Sequence, residues 1–384
     1  MKIVHFNTFP EGGSWEYAKC LSETLVAQGH QSQVVTRRKA LGPWSDRLWR
    51  KVTLRFAKGP WHGTRRASSP IDQLDLQEID LVHLHTVADW FDVPRWLCSL
   101  PKHIKVVISL HDLWHLSGGC FVYNGCEDFS RGCRSCPLLK FPAKMIFGRD
   151  EFRRKAKAYR GRSVHFIANS GWLEGIARMS KITDGCDVSI LPPPVDFSVF
   201  RPLDRALCRR TFGFRQEHLI VATGCASLTD KNKDTPSLLK ILASVKAAHL
   251  KVIVFGEGKI LAPEGLDVTF TGPINSREKA AQLYNAADLF VSASKMESYG
   301  LTFVEALACG TPVVGYRIGG IPEAVLEGSF SRLCPPGDVS AMREAVEEML
   351  SSLPRVPKTS IRELVERNSA LSVAEKLGKI YQLL

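Results

Sequence analysis

LFVSASKMESYGLTFVEALACGTPVVGY, residues 289–316, reads as strand, loop, helix and strand in succession. The run 289–294 is short and apolar, as a strand buried on both faces must be, and 311–316 repeats that character. Between them Gly300 stands at the turn into a helix that closes near Gly310, so the segment is a β-loop-α-β unit with parallel strands.

The same alternation continues outward to both ends of the chain. Upstream, strands are expected at LIVATG (219–224), KVIVFG (251–256) and VTFTG (268–272), and a second series occupies the first half. That series is KIVHF (2–6), QVVT (33–36), DLVHLH (80–85), KVVISLH (105–111), VHFIAN (164–169) and VSIL (188–191). Ser14 is read as the cap of a first helix that carries Trp15, Ala18, Leu21 and Leu25 at helical spacing before Gly29 ends it. Pro192, Pro193 and Pro194 block both helix and sheet, and the domain boundary is placed there. The expected division is a Rossmann-like domain over 1–195, a second over 196–365, and a helix over 366–384. Val373, Leu377, Ile380, Tyr381 and Leu384 share one face of that helix, which is expected to pack back on the first domain. The fold class is α/β: two facing doubly wound domains with a ligand cleft between them.

Composition narrows the function classes. A chain of 384 residues with 45% hydrophobic and 23% charged residues can build two cores, which excludes a fibrous or disordered protein. No stretch approaches the length of a membrane span, and Met1-Lys2 leads into an apolar run too short for a signal peptide, so a cytoplasmic protein is expected. Eleven cysteines, an odd number scattered over a long chain, point to free or metal-bound thiols and not to a disulfide scaffold. The net charge of +12 favours phosphate-bearing partners: nucleic acid, an anionic lipid surface or a nucleotide-linked substrate.

The chemistry gathers in the segment that decides the fold. Glu297 lies on the loop and Glu305 about a turn and a half inside the helix, so the two carboxylates can address different hydroxyls of one ligand. The backbone N–H groups of Gly300, Leu301 and Thr302, at the positive end of the helix, would face an anion. A sugar nucleotide supplies both.

ESYGLTFVEALACGTPVVGYRIGGIPEAV (297–325) closely resembles the Glu-x7-Glu region of the retaining GT-B glycosyltransferases of family 4. The likeness extends through FTGPINSREKAAQLYNAADLFVSAS (270–294) and LCPPGDVSAMREAV (333–346), and is weaker in the first half. It implies the GT-B fold and transfer of a hexose from a UDP- or GDP-linked donor to a glycan or lipid-linked acceptor, with the anomeric configuration retained. Carried over, Glu297 binds donor-sugar hydroxyls, Glu305 the ribose, and the amides after Ser298 the sugar and diphosphate. GCASLTDKNKDTPSLLKIL (224–242) resembles the family loop that ends in a diphosphate-binding lysine, Lys233 being the first choice and Lys231 the second. A cation is needed there because the leaving group gains negative charge as the glycosidic bond breaks. The arginine usual in that loop is absent, with Ala226 and Ser227 in the matching stretch.

In the first half, Gly12 and Gly13 lie between a strand and a helix, where they either admit a phosphate or acceptor to the backbone or simply make a tight turn. The family has a matching glycine loop facing the donor diphosphate. His111, followed by Asp112 at the carboxyl end of a strand, matches the family histidine beside the donor sugar. No Asp-x-Asp occurs, so lysine and helix dipole are expected to replace a metal and no cofactor is required for the chemistry. The implied reaction is front-side displacement through an oxocarbenium-like transition state, the departing phosphate oxygen taking the acceptor proton.

Cys120, Cys126, Cys133 and Cys136 fall in one glycine-rich loop, the last pair at a chelating spacing. They read as a structural zinc site or as a thiol-rich or disulfide-bonded loop, and a subgroup of the family acting in surface-polysaccharide assembly has a similar one. Two basic clusters read as solvated faces or as surfaces for an anionic membrane. One is Arg47, Arg50, Lys51, Arg55 and Lys58, around Leu48, Trp49, Val52, Leu54 and Phe56. The other is Arg149, Arg153, Arg154, Lys155, Lys157 and Arg160. A zinc-bearing nucleic-acid binder would explain charge and cysteines but leave Glu297 and Glu305 without purpose, so no nucleic-acid partner is expected. A GT-B sugar-nucleotide epimerase is the nearer alternative.

Overall fold

The computed structural model describes residues 1–37, 51, 55–59, 61–64, 74–123, 125–352 and 365–384. Of the first basic cluster, Arg47, Leu48, Trp49, Arg50, Val52 and Leu54 lie outside the described residues. The chain divides into two units, Met1–Pro192 with Val373–Leu384, and Pro193–Ser372.

The first unit runs β1 (Lys2–Asn7), α1 (Gly13–Ala27), β2 (Gln31–Thr36), β3 (Leu81–Leu84), α2 (Val93–Ser99), β4 (Lys105–Leu110), α3 (Ala143–Gly161), β5 (His165–Ala168), α4 (Gly171–Met179) and β6 (Val188–Ile190). Its strands form one parallel sheet in the order β2-β1-β3-β4-β5-β6. Alternate residues feed two cores, because successive side chains of a strand point to opposite faces. Val4, Phe6, Val106, Ile108 and Phe166 pack on one face with Trp90, Phe91 and Trp96. Ile3, Leu81, Val107 and Ile167 pack on the other against Tyr17, Leu21 and Leu25 of α1.

The second unit continues with α5 (Arg205–Thr211), β7 (Leu219–Ser227), α6 (Thr235–Ala243), β8 (Leu250–Glu257), β9 (Val268–Gly272), α7 (Arg277–Ala286), β10 (Leu289–Ser292), α8 (Leu301–Ala308), β11 (Val313–Tyr316), α9 (Ile321–Ala324), β12 (Ser331–Cys334) and α10 (Val339–Ser351). Its parallel sheet has the order β12-β11-β10-β7-β8-β9. The strand order reverses between β7 and β10, and the carboxyl ends of those two strands flank a topological switch point, where open α/β sheets present ligand sites. Ile220, Ile253, Phe290 and Val313 point to one core, and Val221, Val252, Val291 and Val314 to the other. The last helix, α11 (Ala370–Leu383), lays Val373, Leu377 and Tyr381 on the Ile3–Leu81 face of the first unit, and the Tyr381 hydroxyl bonds His83 Nδ1 at 2.6 Å.

Three local expectations are corrected. Ser14 does not cap α1: the helix begins at Gly13 and Gly12 is the cap residue, its φ of 87° leaving a conformation that glycine adopts without strain. Lys155 is buried and Arg154 is only partly exposed, because the helical period turns the first inward with Glu151, Phe152 and Tyr159 and the second toward Asp92. Strand β12 was not expected, SRLC being too short and polar to read as an apolar run.

Candidate active site

The loop after β10 and the turn after β7 are laced together at the switch point. Asn232 Nδ2 donates to Met296 O at 2.8 Å, Lys295 N donates to Asn232 O at 2.7 Å, and Lys295 Nζ pairs with Asp234 at 2.8 Å. These bonds deliver Lys233 to Glu297, whose Oε1 takes the ion pair from Lys233 Nζ and a 3.0 Å hydrogen bond from Ser294 Oγ. Lys233 and Glu297 are both largely shielded, whereas Lys231 is exposed. The backbone of Glu297 is gripped from behind. Gly320 N donates to its carbonyl at 3.0 Å, and a Cβ on Gly319 would stand 1.9 Å from that oxygen, so only glycine lets the two loops meet.

Gly300, at a φ of 97°, caps α8 without any side-chain bond to the first-turn amides, leaving N–H groups of the 300–302 turn at the positive end of the helix. Four residues into α8, Glu305 Oε2 accepts a 2.9 Å hydrogen bond from the Tyr284 hydroxyl. Burial, and then the neighbouring Glu305, pushes the Tyr284 phenol well above its ordinary range, so it stays a donor that fixes the carboxylate. A fixed carboxylate on the helix and an ion-paired one on the loop are each placed to accept hydrogen bonds from ligand hydroxyls.

In the first unit, a Cβ on Gly12 or Gly13 would meet nothing within 4 Å, so the start of α1 is open. His111 follows β4, half-buried, with the Tyr17 ring edge-on at 4.8 Å. His111 Nε2 bonds His85 Nδ1 at 3.1 Å, and His85 Nε2 bonds His5 Nδ1 at 3.0 Å. His115 Nε2 reaches His85 O at 3.1 Å, and Asp112 accepts from Trp114 N at 2.7 Å.

Two family descriptions match this chain: "Glycosyltransferase Family 4" over residues 11–199 and "Glycosyl transferases group 1" over residues 217–352. Together they take in most of it. The chain belongs to the family 4 glycosyltransferases. Among curated relatives, a D-inositol 3-phosphate glycosyltransferase of Mycobacterium sp. (strain KMS) is 34% identical over 203 residues, 49% of this chain and 44% of that protein. One of Mycobacterium marinum is 36% identical over 183 residues, 44% of this chain and 38% of its own. This family 4 chain thus spans less than half the length of those relatives in its matches. The fold is that of sucrose-phosphate synthase from Thermosynechococcus elongatus, with a TM-score of 0.70 at 17% identity, covering 100% of this chain and 98% of that one. Anabaena HepE, solved with UDP-glucose, gives a TM-score of 0.64 at 18% identity over 100% of both chains. The two parallel sheets therefore make a GT-B fold.

Several members of this candidate site escape a linear reading. Tyr284 and the Gly319–Gly320 pair lie inside quoted stretches, but their partners are distant in sequence. The histidine ladder could have been found: His83 on β3 and His85 just past its end are two apart in an extended run and so share a face, and His5 is the register partner of His83. Among the described residues, His5, His83 and His85 are the one trio of metal-type donors whose ligand atoms all lie within 4.8 Å. Five of their six ring nitrogens bond one another, His111, Tyr381 and Ser109, whereas buried His5 Nε2 has no hydrogen-bond partner among the described residues.

Burial lowers His111 from 6.5 to about 4, His5 and His115 to about 3, and His83 and His85 well below their ordinary value. Unfolding frees these imidazoles to take up protons below about pH 6.5, so their contribution is fully present above that pH and is lost as the pH falls toward 4. Asp112, pushed up to about 6 by burial, works the other way, but one carboxyl is outnumbered. All eight tryptophans lie before Pro192, so tryptophan fluorescence reads the first unit alone. Its urea midpoint should drop between about pH 7 and about pH 5. A midpoint that rises on acidification contradicts the neutral ladder.

Beyond His111, buried Lys155 donates to Trp114 O and, at 3.0 Å, to Ser117 O, organising the turn that leads into the cysteine loop. Burial lowers this amine to about 8. Cys120, Cys126, Cys133 and Cys136 are all free thiols lining one cavity of about 170 Å³. Burial raises Cys133 to about 12 and Cys136 to about 11. No three of the four sulfurs come within 4.8 Å of one another.

Proposed function

We propose that this chain is a retaining glycosyltransferase that moves a hexose from a nucleotide-diphosphate sugar to a glycan or lipid-linked acceptor in polysaccharide biosynthesis. The observation that carries the reading is the Glu297–Lys233 pair at the switch point, beside the capped start of α8. Glu297 would hold donor-sugar hydroxyls, Glu305 the ribose, and Lys233 with the Gly300, Leu301 and Thr302 amides the diphosphate as it departs, without a metal. Gly12 and Gly13 would leave room for a phosphate or acceptor, and neutral His111 would bond a substrate hydroxyl. Support comes from relatives called D-inositol 3-phosphate glycosyltransferases, from Anabaena HepE with UDP-glucose, and from WaaG, a glycosyltransferase involved in lipopolysaccharide biosynthesis. UDP-glucose is accordingly the first donor to try, and GDP-linked hexoses the second. Product anomers analysed by NMR test the reading: a retained configuration is expected, and inversion, or a free epimerised sugar nucleotide, contradicts it.

We further propose, from the sequence spacing and the shared cavity, a structural zinc held by Cys120, Cys126, Cys133 and Cys136, whose binding would have to draw together sulfurs of which no three lie within 4.8 Å and to deprotonate raised thiols. Elemental analysis of untagged protein should find zinc, lost in Cys133→Ser. Its absence from the parent protein removes that assignment. Among the described residues no helix is long and apolar enough to cross a membrane.

A further inference from the structure

We propose that the first unit carries a separate site for a ligand bearing two or more clustered phosphate groups. A cavity of about 460 Å³ is walled by Arg131 and Arg134 from the cysteine loop, by Arg149, Arg153, Lys157 and Arg160 along α3, and by Lys181 beyond α4. Its remaining lining is Gly132, Phe152 and Ala156, so no acid lines it. Among the described residues only Arg131 of these cations has an acidic partner, the exposed Glu127 at 3.7 Å.

The spacing on α3 explains the wall. Positions 149, 153, 157 and 160 fall on one helical face, while Glu151, Phe152 and Lys155 are buried. Like charges three and four residues apart repel, and two further segments add cations to the same concavity, so a bound polyanion would relieve the repulsion. Guanidinium groups match phosphate oxygens in pairs, which favours phosphate over a diffuse ion cloud. The volume is roughly fifteen times a water's share of the liquid, more than one inorganic phosphate fills. At the start of the same helix, exposed Met145 and Ile146 stand one turn before Arg149, with exposed Phe141 just upstream. An apolar tail could lie there, so the phosphates could be borne by a lipid head group or by a soluble molecule.

The test does not depend on glycosyl transfer. Inorganic tripolyphosphate is titrated calorimetrically into the full chain, and vesicles containing cardiolipin, a lipid with two phosphates, or phosphatidylcholine only are used in flotation. The variants are Arg153→Glu with Lys157→Glu and, separately, Arg149→Glu with Arg160→Glu. All four positions are exposed, and an unchanged circular dichroism spectrum verifies the fold. Tripolyphosphate should bind the parent chain and bind each variant about tenfold or more weakly. Flotation with the cardiolipin vesicles and not with phosphatidylcholine, abolished in the variants and competed by tripolyphosphate, identifies a lipid source; tripolyphosphate binding without flotation identifies a soluble one. No binding of either probe, binding that survives both variants, or preference for an RNA hairpin over both probes overturns the site.

Discussion

Glu297→Ala is expected to lower glycosyl transfer by about 10³-fold, mostly in kcat. The carboxylate accepts from Ser294 and pairs with Lys233, so under the proposed function it would both address the sugar and orient the cation that meets the leaving group. A group preorganised where charge develops is worth about 10²–10³ in rate, and removing this one also leaves the lysine without its partner. The fold should survive. The loop remains tied by Asn232 to Met296 O and by Gly320 N to the Glu297 carbonyl, bonds that use no part of the lost side chain. Steady-state kinetics beside a thermal melt check both halves, and unchanged turnover would remove Glu297 from the mechanism.

Lys233→Met should cost a similar factor, about 10²–10³, because the diphosphate would then leave against the α8 dipole alone. Met keeps most of the stem's volume, which separates loss of charge from loss of packing. Lys231→Met should stay within about twofold of the parent, since Lys231 is exposed on the same turn. The double variant Glu297→Ala with Lys233→Met should be scarcely worse than either single one, as residues that act as a unit are not additive. Additive losses would mean that the two groups act separately.

Much of the fold is legible because parallel strands covered on both faces must be nearly continuous apolar runs. LFVS, VVGY and KVIVF carry that signature, and the loop from Ser294 to Gly300 announces itself by its glycine and charges. Strand β12 does not, since Ser331 and Arg332 make half of it polar. Cap identity also escaped: Ser14 has the right chemistry, but the positive φ of Gly12 decides where α1 begins. At the site, residue types and local spacing singled out Glu297 and Glu305, and the resemblance to the family loop singled out Lys233 ahead of Lys231. The ion pair between the first and last, and the hold of Tyr284 on Glu305, depend on which strands are neighbours, and that is set by sheet order. Charge counting misread α3 for a related reason. Arg154 and Lys155 look like surface cations until the helical phase turns them toward Asp92, Glu151 and the carbonyls of the Trp114 turn.

The central claim is that the switch-point loops of the second unit hold an activated sugar. Calorimetric titration of UDP- and GDP-linked hexoses into the parent chain, Glu297→Ala and Lys233→Met tests it most directly. The account predicts that one donor binds the parent chain and that both substitutions weaken it about tenfold or more. A panel in which no nucleotide sugar binds, or in which binding is indifferent to both residues, would contradict it.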